Sequence, residues 1–550
     1  MATIPVRGLA AKGVLRDPSP YELDLDAWSN GVNVRFHANK AERAPIFRTV
    51  QDALPSEPVF CVGYEPSTGY DTVMTMDVNG RLYQYGSSTY TDISETGHTN
   101  ETDPRAVTST FLGDVIYINR PDRAPRYYGP NSTAFANLPN MDSAWTARSL
   151  RAFGDYLIAL NVTKPTTWTD PHTGLSNPGG SFPNLFKWSD LTLIGQTPGS
   201  WDFEDPTTSA GENPLEQLTT PIVDGLPMRS VFVIYSENSI WGATQTGDQE
   251  IFSFQQLFSE GGMIAPNCAV EVDGVHYVFG PKDIYRHDGV SKQSIIDKRN
   301  KTTFFKYLNK KNSEVCFVSY VPDLDSVFFC CNSGDPNATF KGADRCNWAA
   351  VYDIPGDTWS FIDLPNVSSM SQANLDTVLT WASAPSTLTW GTVGGTWYDQ
   401  QNSYAKSTVL CSGALTGLLT NSRLMAYDFV DKGSLTFPPC TEANPPAFME
   451  RIGLDLDQMG SDLATYKLIR RVFPQVVVYN SVPVQVQFGG SMTPSAAPTY
   501  LPALSFDPTV QYKVDGRTGG RYLAIRFTVN TLDDFEVAGF DLDVTDNGHR

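Results

Sequence analysis

The chain has 550 residues, with 60 Asp and Glu against 40 Lys and Arg for a net charge of −20. Only 18% of residues are charged, and 24 Tyr, 30 Phe and 11 Trp stand among 43 Gly and 38 Pro, a composition of short aromatic strands and many turns rather than of helices. The acidity argues against a surface that grips nucleic-acid phosphates, which needs clustered Lys and Arg, and the length exceeds what one core usually serves unless a repeat spreads that core along the chain.

Residues 1–50 read as an irregular arm leading into a first strand. Gly8, Gly13 and Asp17-Pro-Ser-Pro20 break regular structure, Leu23, Leu25 and Trp28 supply apolar anchors, and the Asn30-Gly31 turn precedes alternating Val32, Val34 and Phe36. The opening residues hold no continuous apolar run of signal-peptide length, and nowhere does a run approach the ~18 apolar residues of a membrane helix. The expectation is a soluble chain made in a cytoplasm, with no stable membrane insertion. Its eight cysteines are too sparse for a disulfide framework and are expected to be reduced. Cys330 and Cys331, adjacent in a strand, should point to opposite faces.

From 51 to 435 one syntax recurs: a turn, an apolar run, a second turn, and a run with paired aromatics. Asn79-Gly80 precedes Leu82 to Tyr85, Gly113-Asp114 precedes Val115 to Ile118, Gly154-Asp155 precedes Tyr156 to Leu160, and Asp273-Gly274 precedes Val275 to Phe279. The spacing of roughly 40 residues is that of four-stranded propeller blades. It predicts an all-β fold, an irregular β-propeller of six or seven blades. Ala349 to Leu364 is the clearest unit, a hairpin turning through Pro355 and Gly356, with Trp359 and Phe361 on one face and Ser360 and Ile362 on the other. Two Pro- and Gly-rich insertions, near 165–183 and 196–221, read as long loops on one rim. The single expected helix is Asn300 to Lys311, where Phe304, Phe305, Tyr307 and Leu308 sit among Lys301, Lys306, Lys310 and Lys311, so that one face packs and the other is solvated.

Residues 436–550 change character. Longer alternating runs, Lys467 to Phe473, Gln475 to Tyr479, Val482 to Phe488, Tyr522 to Val529 and Val537 to Val544, predict a β-rich, sandwich-like domain.

No nucleophile elbow, phosphate-binding loop or His-Glu-x-x-His pattern occurs in the chain. His276 and His287, at strand positions, are read as buried or turn-bonded rather than as metal ligands. The acidic clusters Asp202 to Asp205 and Asp323 with Asp325 would suit a glycosidase only if two carboxyls faced each other across a cleft, and are read as turn residues, as Asp24, Asp26, Asp455 and Asp457 are as solvent faces. The lysines near 298–311 are read as the wet side of the helix. Thus no catalytic, cofactor-binding or metal-binding residue is assigned, no cofactor is expected, and the chain is not expected to be an enzyme.

Several segments, in order, resemble the tail nozzle proteins of short-tailed bacteriophages, a tail tubular protein B-like family. They are Pro20 to Leu23 with Ala27 to Phe36, Pro227 to Tyr235 with Ser239 to Trp241, Glu250 to Phe254, Gly261 to Pro266, Val272 to Gly274, Tyr285 to Gly289, Phe305 to Asn309, Ser319 to Pro322, Val351 to Asp353 with Asp357 to Ser360, Gly520 to Phe527 and Ala538 to Val544. Asp376 to Tyr398, with Trp381, Trp390 and Trp397, departs from the family pattern, as do the two insertions. The resemblance implies a structural virion protein at the distal end of the tail: a homohexameric channel, docked on a tail adaptor protein and carrying tail fibres or tailspikes. Double-stranded DNA would pass transiently through its lumen, and an acidic wall would keep that duplex from sticking. Two alternatives stay open on pattern alone, a phage tail propeller that binds or cleaves host-surface glycan and a kelch-like scaffold.

Overall fold

The structure is a computed structural model that describes residues 2–549 apart from 10, 53, 67–71, 87–88, 100–104, 142–143, 170–173, 175, 248–249, 376–405, 434, 436, 457–464 and 481. The stretch Asp376 to Tyr398 singled out above lies outside the described residues.

The described residues form a β-propeller of seven blades, each of four antiparallel strands. Blades 1 to 5 begin with the strands Pro58–Tyr64, Thr108–Leu112, Thr146–Phe153, Ile222–Met228 and Ala269–Val272, and each is a separate sheet. Blade 6 consists of Phe317–Val321, Ser326–Cys331, Cys346–Asp353 and the first half of Thr358–Ala373. The second half of that long strand opens blade 7, pairing with Ser407–Ser412, which pairs with Arg423–Asp428. Between the halves Pro365 removes a donor and Asn366 adopts φ +52°, a left-handed conformation that Asn tolerates. The chain therefore bends from one blade into the next without a loop. Blade 7 is completed by Ile46–Asp52 from the opposite end of the chain, paired to Arg423–Asp428, which closes the ring.

Each blade is apolar on both faces because it is sandwiched between two others. Ile116 and Ile118 of blade 2 face blade 1, while Val115 and Tyr117 of the same strand face blade 3. This is why its core strand reads as an unbroken apolar run rather than an alternating one. The hairpin in blade 6 shows the same thing. Trp359 packs toward blade 5, where it donates to the Ile295 carbonyl, Phe361 on the same face lies under Arg16 of the arm, and Ile362 packs toward blade 7, so both faces are buried. Cys330 and Cys331 divide between those two interfaces as alternation requires, and all eight cysteines are free and buried.

Two expectations are corrected. Most of the first insertion is not a loop: Tyr156–Thr169 and Ser176–Trp188 are paired strands of an elongated hairpin in blade 3. Its Pro165 lies where the register shifts between Lys164 and Thr167, and a shift is where a ladder tolerates a residue with no N–H. The helix is also shorter than expected, Lys301–Tyr307, followed by an extended Leu308 and a 3-10 segment at Lys310–Val315. The second insertion is turns apart from Gly211–Pro214, the outer strand of blade 3.

The two ends of the chain build a second body. One sheet orders Val34–His37, Lys40–Arg43, Phe535–His549, Thr465–Val478 and Val514–Gly520, with Ala2–Arg7 also on Phe535–His549. The other orders Asn30–Val32, Ala447–Leu454, Tyr522–Val529 and Val484–Ser491. The sheets share one core, with Trp28 between them, 6.3 Å from Phe527 of one and 6.4 Å from Phe540 of the other. The arm thus supplies strands to both sheets. Thr465–Val478 joins what the sequence suggests are two strands; Pro474 sits beside a register shift at Gln475.

This sandwich is fastened to blade 6. The Arg35 guanidinium donates to Asp353 at 3.1 Å and to the Leu324 carbonyl at 2.7 Å, and the Thr358 hydroxyl donates to the Phe36 carbonyl at 2.9 Å. Gly13 lies against Trp359 with φ +62°, where an added Cβ would fall 2.7 Å from the Trp359 carbonyl oxygen. Among the described residues, no helix is long and apolar enough to cross a membrane.

Candidate functional site

The first strands of the blades surround a cavity of about 190 Å³ on the propeller axis, to which all seven blades contribute. Its wall is polar on the side of blades 3 to 5. There Asp224, in the first strand of blade 4, is fully buried and accepts from Arg151 Nε at 2.9 Å, from the Asn267 backbone N–H at 2.9 Å and from the Ser149 hydroxyl. Arg151 also donates to the Ser109 carbonyl at 3.1 Å and to the Asn267 side chain at 2.8 Å, and the Asn267 amide donates to the Val107 carbonyl at 2.8 Å. Burial works against the Asp224 carboxylate, but Arg151 and the converging N–H and O–H donors outweigh it and hold this group below the usual carboxylate range. One ion pair therefore joins blades 2, 3 and 4 to the chain entering blade 5. Elsewhere Ser369 lies against Cys61 where blade 7 meets blade 1, and Arg105, Glu314 and Arg345 also line the cavity.

A second buried polar group lies between blades 4 and 5. Tyr235 Oη is 2.7 Å from His276 Nδ1 and 2.6 Å from His287 Nε2. Only one proton arrangement satisfies every partner. His276 Nε2–H donates to the Pro227 carbonyl at 3.0 Å, so His276 Nδ1 accepts from Tyr235; the Gly289 N–H donates to His287 Nδ1 at 3.3 Å, so His287 Nε2–H donates to Tyr235 Oη. Both imidazoles are neutral. Burial, and after it the neighbouring His276, pushes His287 down to about 3, and burial also lowers His276. Both histidines are thus buried and hydrogen-bonded, as read from the sequence.

The sign of the resulting pH dependence follows. The unfolded chain protonates His287 near its ordinary value of 6.5, whereas the folded chain resists until about 3. Stability is therefore full above pH ~6.5 and falls as pH drops, with about 2 kcal/mol lost by pH 5. Denaturant midpoints measured from pH 7.5 to 4.5 should show this slope, and His287→Gln should flatten it; an unchanged slope would mean that the imidazole is hydrated.

A third cluster sits in blade 3. Lys164 and Lys187 hold the two oxygens of Glu212 at 3.0 and 2.9 Å, and the Trp145 ring lies 4.8 and 5.1 Å from their ammonium groups. Burial lowers Lys187 and opposes the Glu212 carboxylate, yet the paired lysines keep Glu212 below its usual range. The cluster pins the turn-rich second insertion to the elongated hairpin.

The acidic stretches weighed above do not converge. Asp202 and Asp205 accept from the backbone N–H groups of Glu204 and Thr207, and Asp325, at φ +47°, accepts from Tyr320 Oη at 2.9 Å. Asp24 pairs with Lys12, and Asp457 lies outside the described residues. On the helix, Phe304 packs 5.6 Å from Phe279, while Lys301 faces Asp283 at 3.2 Å. Among the described residues no group of three or more His, Cys, Asp or Glu is placed to hold a metal ion. Sequence reasoning missed Asp224, Arg151 and Asn267, which lie 73 and 43 residues apart along the chain. The one local hint is Pro266-Asn267, a turn-forming pair whose Asn adopts φ +62°.

No protein-family model matches the chain, and no match to a curated protein is found. Similar solved structures include a computationally designed protein, Ika8, at 10% identity and a TM-score of 0.35, covering 69% of this chain and 99% of that one. A second is YCF48 bound to D1 peptide, at 10% identity and 0.35, covering 71% and 100%. A third is the WD40 β-propeller domain of Doa1, at 10% and 0.34, covering 69% and 96%.

Proposed function

We propose that the chain is a structural virion protein, the subunit of a tail nozzle at the distal end of a short phage tail, made in the host cytoplasm. In this reading six copies form a channel that retains and then conducts the genome, docks on a tail adaptor protein and carries fibres or tailspikes. The protein is not an enzyme and uses no cofactor. The observation that supports the reading most is where the family-like segments meet. The one containing Trp28 and the two near the C-terminus, separated by almost the whole chain, converge in a single core: Asn30–Val32 and Tyr522–Val529 flank the same strand, and Trp28 touches Phe527 and Phe540. The buried charges also serve packing, since each cluster described above ties blades or insertions together.

Light scattering with negative-stain imaging tests the proposal. A six-fold ring is expected, and it should leave double-stranded DNA unretarded at low salt if its lumen is acidic. A trimer with affinity for saccharide would overturn the nozzle in favour of the glycan-binding or glycan-cleaving alternative.

A further inference from the structure

The circle of blades is closed by strand pairing, Ile46–Asp52 from the arm against Arg423–Asp428. Beside that clasp, where blade 7 meets blade 1, two of the eight cysteines come together. Cys61 lies in Pro58–Tyr64 and Cys411 in Ser407–Ser412, and both side chains belong to the core between these two blades. They are 2% and 0% exposed.

The surroundings of the Cys61 sulfur fix its place. It is 3.7 Å from the Val409 carbonyl oxygen and 3.8 Å from that of Ser369. Val409 stands two residues before Cys411 on one strand and so shares its face, and Ser369 is the residue paired directly with Cys411 across the ladder. The Cys411 thiol is in turn in hydrogen-bond contact with Cys61. Small residues bring the backbones this close. The Cys61 N–H donates to the Ser369 hydroxyl at 3.3 Å, and that hydroxyl donates back to the Cys61 carbonyl at 3.4 Å. At Gly63 an added Cβ would fall 2.4 Å from the Gln372 carbonyl oxygen. Other thiols are directed elsewhere: Cys268 and Cys346 donate to the Cys316 and Val315 carbonyls at 3.2 and 3.0 Å, and Cys330 and Cys331 diverge to opposite faces.

The two members of the pair differ in access. Cys61 is on the wall of the axial cavity, whose volume of about 190 Å³ has room for water-sized molecules, and Cys411 is not. A peroxide is little larger than water and fits the same space.

We infer that Cys61 and Cys411 are a latent disulfide, closed by an oxidant of the peroxide class that arrives through the axial cavity, and that this bond makes the hydrogen-bonded clasp of the propeller covalent. Cys61 Sγ attacks one peroxide oxygen, the O–O bond breaks, and the departing oxygen takes the thiol proton and leaves as water, which converts Cys61 to a sulfenic acid. Cys411 Sγ then attacks the Cys61 sulfur, the S–O bond breaks, and the second oxygen leaves as water with the Cys411 proton. Two sulfurs are oxidised and both peroxide oxygens reduced. Burial pushes the Cys411 thiol well up, so the second step is slow and quickens as pH rises. The bridge encloses blades 2 to 6 in one covalent loop, and it keeps blade 7 on blade 1 when the Ile46–Asp52 ladder opens. The inference does not depend on the nozzle reading.

Hydrogen peroxide added to the folded, full-length chain tests it, read by thiol titration after denaturation and by peptide mapping without reductant. Two of the eight thiols should be lost, and the peptide holding Cys61 should be joined to the one holding Cys411. The denatured chain should run faster on a non-reducing gel until a thiol reductant restores it. The oxidised protein should also unfold at a higher temperature than the reduced one. Cys411→Ala should abolish both shifts and leave Cys61 as a sulfenic acid that a cyclic diketone probe captures. Retention of all eight thiols would overturn the inference, as would a Cys61 sulfinic acid with no link to Cys411, or a bridge mapped to any other pair. A Cys61–Cys411 bridge that leaves the unfolding temperature unchanged would overturn its role in closing the ring. The mapping is made on the wild-type chain and so decides the matter even if Cys411→Ala does not fold.

Discussion

Replacing Asp224 with alanine is expected to destabilise the propeller by about 3–5 kcal/mol, the cost of leaving one member of a buried ion pair without its partner. The substitution removes the acceptor for Arg151 Nε, the Ser149 hydroxyl and the Asn267 backbone N–H together, and leaves a guanidinium facing the axial cavity. Asp224→Asn keeps the volume but not the charge and should fall close to it. The double change Asp224→Leu with Arg151→Met should recover much of the loss, because replacing both charges by apolar groups removes the unpaired one. The pH signature differs from that of the histidines. A carboxylate held below its ordinary range contributes stability above pH ~3.8 and loses it only as pH falls through the lower folded value, so D224A should flatten the acid limb below pH 4. Denaturant titration of the three variants measures all of this. A D224A protein as stable as wild type would show that water enters the cavity and solvates Arg151.

Trp359→Ala should cost a similar amount, about 3–5 kcal/mol, by opening a cavity that the surrounding blades fill only in part. The ring is completely buried, 5.2 Å from Tyr352 and 5.9 Å from Phe329, and its Nε1–H donates to the Ile295 carbonyl at 3.1 Å. Its backbone carbonyl accepts from the Val14 N–H at 2.9 Å. The consequence should therefore extend beyond blade 6. Limited proteolysis should find the arm before residue 28 cut faster in Trp359→Ala than in wild type. Trp359→Phe retains most of the packing and should lose about 1 kcal/mol or somewhat more through the orphaned Ile295 carbonyl. Equal unfolding midpoints for wild type and Trp359→Ala would contradict its place in the core.

What the sequence conveyed and what it hid divide along physical lines. Turn chemistry is local, so Asn79-Gly80, Gly113-Asp114 and Asp273-Gly274 marked the strands that follow them, and the spacing of those turns indicated a propeller. Blade 6 was legible from Ala349 to Leu364 because a two-stranded hairpin encodes its own pairing. The elongated hairpin of blade 3 was not, since Pro165 and Pro183 signal loops and only the partner strand shows where a register shift absorbs the first. Seven blades fell within the expected six or seven, but the closure of the last was hidden for another reason: the strand that opens it continues directly from blade 6, and its outer strand lies before blade 1. The polar wall of the axial cavity is assembled from blades 3, 4 and 5, and nothing near Asp224 in sequence announces Arg151. The histidines were readable as buried from alternation alone, but the Tyr235 that joins them lies on another blade.

The pairing of Ala2–Arg7 with Phe535–His549, and of Ile46–Asp52 with Arg423–Asp428, also sets a timetable for synthesis. Strands made first have partners made last, so at about 5–20 residues per second the arm waits roughly 25–100 s for the strands that will cover it. During that interval Ile4, Val6, Trp28 and Phe36 are uncovered while the blades between form in order. A nascent chain whose residues have emerged as far as about 430 should therefore hold a closed ring with an uncovered arm, and it is at that stage that a holding chaperone has most to bind.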